Sequence, residues 1–381
     1  MNGHSRRGFL SRAIGACFAG AGVLEQAALR AGQARVQSAV AAASLFDLQQ
    51  TSPNVYLALA RPAAMLNCNA AIFVRSDHVV VVDSHSKPSA AASLVAQIRR
   101  EVTTKPVRYL VNTHFHYDHA QGNAAYRALS PRVDVVASRE TRQLLAERGA
   151  KAVASGIESM RRAAESARAQ LSTAPSNGEK QYYRRAAAEA EAFVREMQAY
   201  RPDLPDVTFD TDLTLRDSLQ ELHLVFRGRA HTGSDICVLS PSARSLATGD
   251  LIVGFLPGMG DGFPSEWPGT LDRMDELPFD NILPGHGDFQ RSRETMGRMK
   301  AYIEELCETV ARLKRQGMTL DEVLKQVTPA TLPALSRGGY GAAVAASEGR
   351  YRLRPPGFDP QQGLASALRG NVAAVYQKLV V

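Results

Sequence analysis

Asn112-Thr113-His114-Phe115-His116-Tyr117-Asp118-His119 follows directly on the run Val107–Val111. The branched and aromatic residues of that run read as a strand, and Ala120–Leu129 beyond the motif reads as a helix. The polar side chains therefore sit at a strand-to-helix turn. Within six consecutive residues, His114, His116, Asp118 and His119 offer imidazole or carboxylate groups. These are the donors that zinc takes at about 2.0–2.2 Å. Packing does not call for four such groups in one turn, so the stretch reads as a metal-ligand motif.

Upstream, Val79-Val80-Val81-Val82 is a continuous β-branched run, as in a strand buried on both faces, and it ends at Asp83. Strands are also expected at Val55–Ala60, Ala71–Arg75 and Val133–Ala137, with helices at Pro88–Arg100 and Thr141–Arg148. Residues 150–203 differ: Ala, Glu and Arg dominate, apolar spacing is helical, and Ala174-Pro175-Ser176-Asn177-Gly178 interrupts the pattern. That predicts an inserted helical hairpin, acting as support, lid or partner surface. Strands resume at Val207–Phe209, Leu213–Leu215, Leu222–Phe226, Ile236–Leu239, Ser245–Ala247 and Asn281–Leu283, with a short helix at Gly269–Leu277. Helices are expected over Gln290–Gln316, Leu320–Val327 and Val372–Leu379, with an irregular connection over residues 328–362. Strands alternating with helices predict a layered α/β fold.

Three more ligand candidates lie beyond the insert. His231 opens His-Thr-Gly-Ser-Asp, Asp250 closes Leu-Ala-Thr-Gly-Asp, and His286 sits in Leu-Pro-Gly-His-Gly. Each follows a predicted strand, and open α/β sheets place their ligands at strand C-terminal ends. Phe255, Met259 and Trp267, in the glycine-rich loop after Asp250, are either pocket lining or loop anchors.

The ordered set resembles the metallo-β-lactamase fold superfamily over roughly residues 45–290. The resemblance implies a four-layer αβ/βα sandwich with a dinuclear site at one edge of two facing sheets. By it, His114, His116 and His231 would hold one zinc, and Asp118, His119 and His286 a second, with Asp250 bridging. Asp83 matches an upstream acidic position that orients a ligand histidine. The aspartate at the bridging position resembles the glyoxalase II and lactonase branches; true β-lactamases typically carry Cys or Ser there. The flavodiiron branch would place an acidic residue where His116 stands. The expected chemistry is attack by zinc-bound hydroxide on an ester, thioester, lactone or amide-like bond, with Asp118 as the catalytic hydrogen-bonding and proton-shuttling group. Tyr117 is a candidate oxyanion donor. Two other readings stay open: an iron-dependent sulfur dioxygenase on the same scaffold, and a non-catalytic zinc-binding accessory protein of an export or maturation pathway.

The remaining features bound the setting. Residues 1–43 read as a signal peptide: Ser5-Arg6-Arg7-Gly8-Phe9-Leu10, then a weakly apolar Ala/Gly run from Ala13 to Leu24. The paired arginines resemble a twin-arginine export signal, which implies the bacterial periplasm and the export machinery as a partner. The hydrolase unit is expected over residues 44–295 and a helical C-terminal extension over 296–381. The net charge of +7 comes from Lys and Arg spread along 381 residues without an interleaved aromatic track, so a small-molecule substrate is expected and no nucleic acid. Cys68, Cys237 and Cys307 are widely spaced and show no metal-type pairing. His85 lies near the predicted site edge, while His78 and His223 read as turn and strand residues.

Overall fold

The computed structural model describes residues 45–62 and 68–379. The export signal read in residues 1–43 lies outside the described residues. Strands β1 (Phe46–Ser52), β2 (Val55–Ala60), β3 (Ala70–Val74) and β4 (Val79–Val82) form an antiparallel meander. Helix α1 (Pro88–Glu101) returns the chain to β5 (Val107–Val111), which lies parallel to β4. Two short helices, α2 (Tyr117–Ala120) and α3 (Asn123–Arg127), lead to β6 (Asp134–Ser138). The hairpin α4 (Arg139–Thr173) and α5 (Asn177–Met197) is the crossover to β7 (Val207–Phe209). β5, β6 and β7 are parallel, giving a seven-stranded sheet in the order of the sequence.

The second sheet holds β8 (Asp212–Leu215), β9 (Leu222–Phe226), β10 (Ile236–Ser240), β11 (Ser245–Gly249) and, after α6 (Trp267–Asp275), β12 (Asn281–Pro284). Its order is β12-β11-β10-β9-β8, and only the β11–β12 pair is parallel. Five helices follow: α7 (Glu294–Arg315), α8 (Leu320–Gln326), α9 (Pro333–Ser336), α10 (Tyr340–Tyr351) and α11 (Pro360–Lys378).

Strand periodicity builds the layers. In β4, Val79 and Val81 pack outward against Leu94 and Ile98 of α1, while Val80 and Val82 face inward. The inward set meets Leu224 of β9, Ile236 and Val238 of β10 and Ala247 of β11, forming the core between the two sheets. On the other face of the second sheet, Cys237, Leu239 and Leu246 pack against Met299, Ile303 and Leu306 of α7 and Leu368 and Val372 of α11. The order is helix, sheet, sheet, helix: the four-layer sandwich. Both faces of the central strands are covered, so their sequences run apolar without alternation.

Several elements differ from expectation. The helix expected over Thr141–Arg148 and the first arm of the hairpin are one continuous α4; the Ser138 hydroxyl accepts from the Thr141 N–H at its start. Ser176 and Glu179 cap α5 reciprocally. β1 carries Asp47, Gln49 and Gln50 and was not expected; as a sheet edge it needs only one buried face. The connection over residues 328–362, expected to be irregular, contains α9 and α10, and α11 begins well before Val372. Glycines at 341, 349, 363 and 370 dilute the helical pattern there. Burial of Tyr340, Val344, Leu364 and Leu368 in the helical layer overrides weak local propensity.

Candidate metal centre

Each candidate ligand stands just beyond a strand end on the same edge of the sandwich. Asp83 follows β4, residues 114–119 follow β5, His231 follows β9, Asp250 follows β11 and His286 follows β12. The fold brings them into two adjoining groups. In one, His116 Nδ1 lies 3.1 Å from His114 Nε2 and 2.9 Å from His231 Nε2. In the other, Asp118 Oδ2 lies 3.4 Å from His286 Nε2 and 3.8 Å from His119 Nε2. Asp250 stands between them: Oδ2 is 3.4 Å from His231 Nε2 and 3.2 Å from His286 Nε2, and Oδ1 is 3.4 Å from His119 Nε2.

The donor set fits metal ions. Three imidazole nitrogens converging within about hydrogen-bond distance cannot satisfy one another, since neutral imidazole has one N–H. His119 Nε2 and Asp250 Oδ1 are buried and face each other at 3.4 Å without the geometry of a hydrogen bond. Buried polar atoms left this way are costly unless a cation meets them. His114, His116 and His231 can meet at one ion, as can Asp118, His119 and His286.

The outer nitrogens are tied down by acceptors, which fixes the tautomer that leaves the inner lone pair free. His119 Nδ1 donates to Asp83 Oδ2 at 2.8 Å. His231 Nδ1 donates to the Gly258 carbonyl at 2.9 Å. His116 Nε2 donates to Asp261 Oδ2 at 3.0 Å. His114 Nδ1 lies 3.0 Å from the Thr113 hydroxyl, which itself donates to Asp83. One buried carboxylate, Asp83, thus orients a histidine in each group, the second through Thr113.

The two groups differ electrostatically. Burial pushes His114 well below its ordinary value and His231 down to about 4, so both stay neutral donors. Burial also opposes charging of His286, but Asp250 and Asp118 outweigh it and hold the imidazole up at about 10. Burial likewise lowers His119, and the facing Cys68 together with Asp250, Asp83 and Asp118 lifts it well above the usual range. Against their own burial, Asp118 and Asp250 are held far down by these histidines.

Glycine is required where the backbone closes on the site. A Cβ on Gly285 would stand 2.6 Å from Asp250 Oδ1 and 2.9 Å from His119 Cε1. Gly249 has φ +51° and a Cβ there would collide with the Thr113 hydroxyl. Gly-Asp and Gly-His-Gly are therefore close-approach motifs, and not merely turns.

The cluster opens into a cavity of about 590 Å³ lined by His116, Asp118, His231, Asp250 and His286 and, from the C-terminal helices, by Glu348, Arg352 and Arg354. Phe255 lines it too, whereas Met259 and Trp267 are buried in the core and anchor the loop. The Trp267 indole donates to the Leu251 carbonyl at 3.1 Å. Tyr117 is 48% exposed and lines a separate small pocket with Phe115 and Leu145, so it is not placed as an oxyanion donor. His85 is fully buried and stacks on Phe46, and burial pushes it down to about 3. His78 pairs with Asp77, and His223 with Glu221.

Sequence reading missed Asp261. It lies in a glycine-rich loop where Asp-Gly signals only a turn, and Arg148 of the inserted hairpin approaches its other oxygen at 3.4 Å. It also missed the loop's anchors on α11. Lys378 Nζ donates to the carbonyls of Met259, Gly260 and Gly262 at 3.0, 2.6 and 2.6 Å. Asn371 accepts from the Met259 N–H and donates to the Pro257 carbonyl. The C-terminal helix thus grips the loop that supplies Gly258 and Asp261 to His231 and His116.

Solved structures similar to the chain include a metallo-beta-lactamase from Pontibacter korlensis, which aligns over 67% of this chain and 97% of its own, at 19% identity and a TM-score of 0.49. The stereoselective inverting sec-alkylsulfatase Pisa1 from Pseudomonas sp. aligns over 88% of this chain and 50% of its own, at 18% identity and a TM-score of 0.58. At that identity the second likeness is one of fold. Residues 64–286 match the family model described as the Metallo-beta-lactamase superfamily, and the chain belongs to that superfamily of metallohydrolases.

Proposed function

We propose that the chain is a dinuclear zinc hydrolase of the glyoxalase II and lactonase type, acting on an ester, thioester, lactone or amide-like bond. The observation that carries the reading is the place of Asp250, within 3.4 Å of histidines in both ligand groups. His114, His116 and His231 would hold one ion, Asp118, His119 and His286 the other, and Asp250 would bridge them. Bound metal supplies Lewis acidity and lowers the pKa of water toward neutrality. The chain's own residues do the rest. Asp83, Asp261 and the Gly258 carbonyl hold the imidazoles in register. Asp118, kept ionised by His119 and His286, lines the cavity, accepts a hydrogen bond from the attacking water and shuttles its proton onward. Phe255 and the C-terminal helices wall the cavity in which the reacting group would sit.

Elemental analysis of the purified protein, paired with hydrolysis of a neutral aryl ester, tests the reading. About two zinc per chain, with hydrolysis lost in His116→Ala and Asp118→Ala, supports it. One iron per chain with persulfide-dependent oxygen uptake would replace it with the sulfur dioxygenase. Zinc without turnover of lactones, thioesters, β-lactams or aryl esters would favour the accessory role.

The reading includes export. Residues 1–43 would route the folded, metal-loaded hydrolase to the periplasm through the twin-arginine machinery, and Arg6-Arg7→Lys-Lys should retain it in the cytoplasm. Residues 44–295 would form the hydrolase unit, and 296–381 an extension that walls its cavity.

A further inference from the structure

Part of the cavity lining comes from a segment that the family match does not reach. Glu348, Arg352 and Arg354 face the same cavity as His116, Asp118 and His286, yet lie beyond residue 286. Arg352 Nε and Arg354 Nη2 approach one oxygen, Glu348 Oε2, at 3.1 and 2.9 Å. Glu348 is only 6% exposed, and one guanidinium would neutralise it. The second leaves this trio of Glu348, Arg352 and Arg354 with one surplus positive charge. Arg354 Nε is buried without a hydrogen-bonding partner.

Aromatic rings hold both guanidiniums. Arg354 lies 4.4 Å from the Phe358 centroid, and Arg352 lies 5.3 Å from that of Phe255. Phe255 in turn stacks on His286 at 5.5 Å between centroids. A single aromatic ring therefore separates the Arg352 charge from a metal-ligand imidazole. Stacked guanidiniums with spare N–H groups at their edges match oxyanions that present two oxygens side by side, which they bind through parallel hydrogen bonds.

We propose that Arg352 and Arg354 form an oxyanion subsite, and that the substrate is a small ester, thioester or lactone carrying a carboxylate or sulfonate about one ring's width from the bond cleaved. The identity of the reacting bond rests on the hydrolase reading; the subsite does not. The C-terminal segment selects the substrate, and the sheet-edge residues carry the reaction.

Two measurements test this. The first is calorimetry of the metal-loaded protein with butyrate and with propanesulfonate, which needs no turnover. Wild type should bind at least one of them, and the relative affinities identify which anion is preferred. Arg352→Ala/Arg354→Ala should weaken binding about tenfold or more. Arg350→Ala, which removes a surface pair with Asp288, should not change it. Arg352→Ala alone, with a side chain 41% exposed, serves if the double variant does not fold. The second compares kcat/KM for 4-nitrophenyl acetate, mono-4-nitrophenyl glutarate and 4-nitrophenyl 3-sulfopropionate. The double variant should lose about tenfold more on a charged ester than on the neutral one. Equal losses on all three, or anion binding indifferent to the arginines, would overturn the subsite while leaving the hydrolase reading intact. Arginine-dependent anion binding without hydrolysis of any ester would keep the subsite and sink the hydrolase reading.

Discussion

If the site is dinuclear as proposed, Asp83→Asn should damage both metal positions from a single buried residue. Asp83 is 2% exposed. Its Oδ2 accepts from His119 Nδ1 at 2.8 Å, and its Oδ1 accepts from the Thr113 N–H at 2.9 Å and hydroxyl at 3.0 Å. An asparagine has one carbonyl and one amide NH2 for those two sides. With the carbonyl toward His119, its NH2 meets the Thr113 N–H, donor against donor. Reversed, it forces the proton of His119 onto Nε2 and removes the ligand lone pair. The first orientation leaves a buried N–H unsatisfied, at about 1–3 kcal/mol; the second keeps the hydrogen bonds but presents the wrong His119 tautomer to a metal. Loss of such an orienting partner costs roughly 10–100-fold in metal affinity. Here it acts on His119 directly and on His114 through Thr113, so both binding steps should weaken. Among the candidate ligands Asp261→Asn touches His116 alone, so it should weaken one step. Competition against a chromophoric chelator resolves the two steps, and thermal melts of the metal-free proteins control for folding. The reasoning fails if folded Asp83→Asn binds both ions like wild type, or weakens only the step that Asp261→Asn weakens.

Metal loading near pH 7 should release protons, because the metal-free site holds His119 well above its ordinary value and His286 up at about 10, both protonated at neutrality. Calorimetric enthalpies that do not vary with buffer ionisation enthalpy would refute this. Lys378→Met should free the loop at Met259–Gly262 and weaken the three-histidine group by about tenfold or less, sparing the other; the same chelator competition checks it, and equal loss at both groups would count against the loop's role. Far from the site, Asp217 accepts from the Ser76 hydroxyl and from the backbone N–H groups of Ser76, Leu219 and Gln220. Burial pushes its carboxyl up, but these hydrogen bonds hold it below its ordinary 3.8. Its contribution to stability is therefore present above that value and lost as the pH falls through the folded one. Asp217→Asn should lower Tm at pH 7, with the gap narrowing toward pH 3; a gap independent of pH would be the contrary result.

How much of this was legible depended on sequence distance. The His114–His119 group sits within one turn, and spacing alone places those side chains together. Val79–Val82 announces a strand covered on both faces because both of its faces are apolar. The hairpin of α4 and α5 shows in its helical periodicity and its Pro-Ser-Asn-Gly break. In each case the determining interactions are local, so the chain carries the signal in consecutive residues.

Tertiary structure decided the rest. β1 carries exposed Asp47 and Gln50 because the outermost strand is less covered than those inside the sheet, and α10 and α11 exist because α7 and the second sheet bury their sparse apolar faces. Asp261 becomes the acceptor for His116 only when the loop after Asp250 is folded back and gripped by Lys378 from the last helix. Arg352 and Arg354 reach the cavity from a segment that reads in isolation as an irregular connection. Local propensity fixes the ligands on their turns. Which distant charges face them follows from packing the last helical layer against the second sheet, where burial of side chains far apart in the chain sets the geometry.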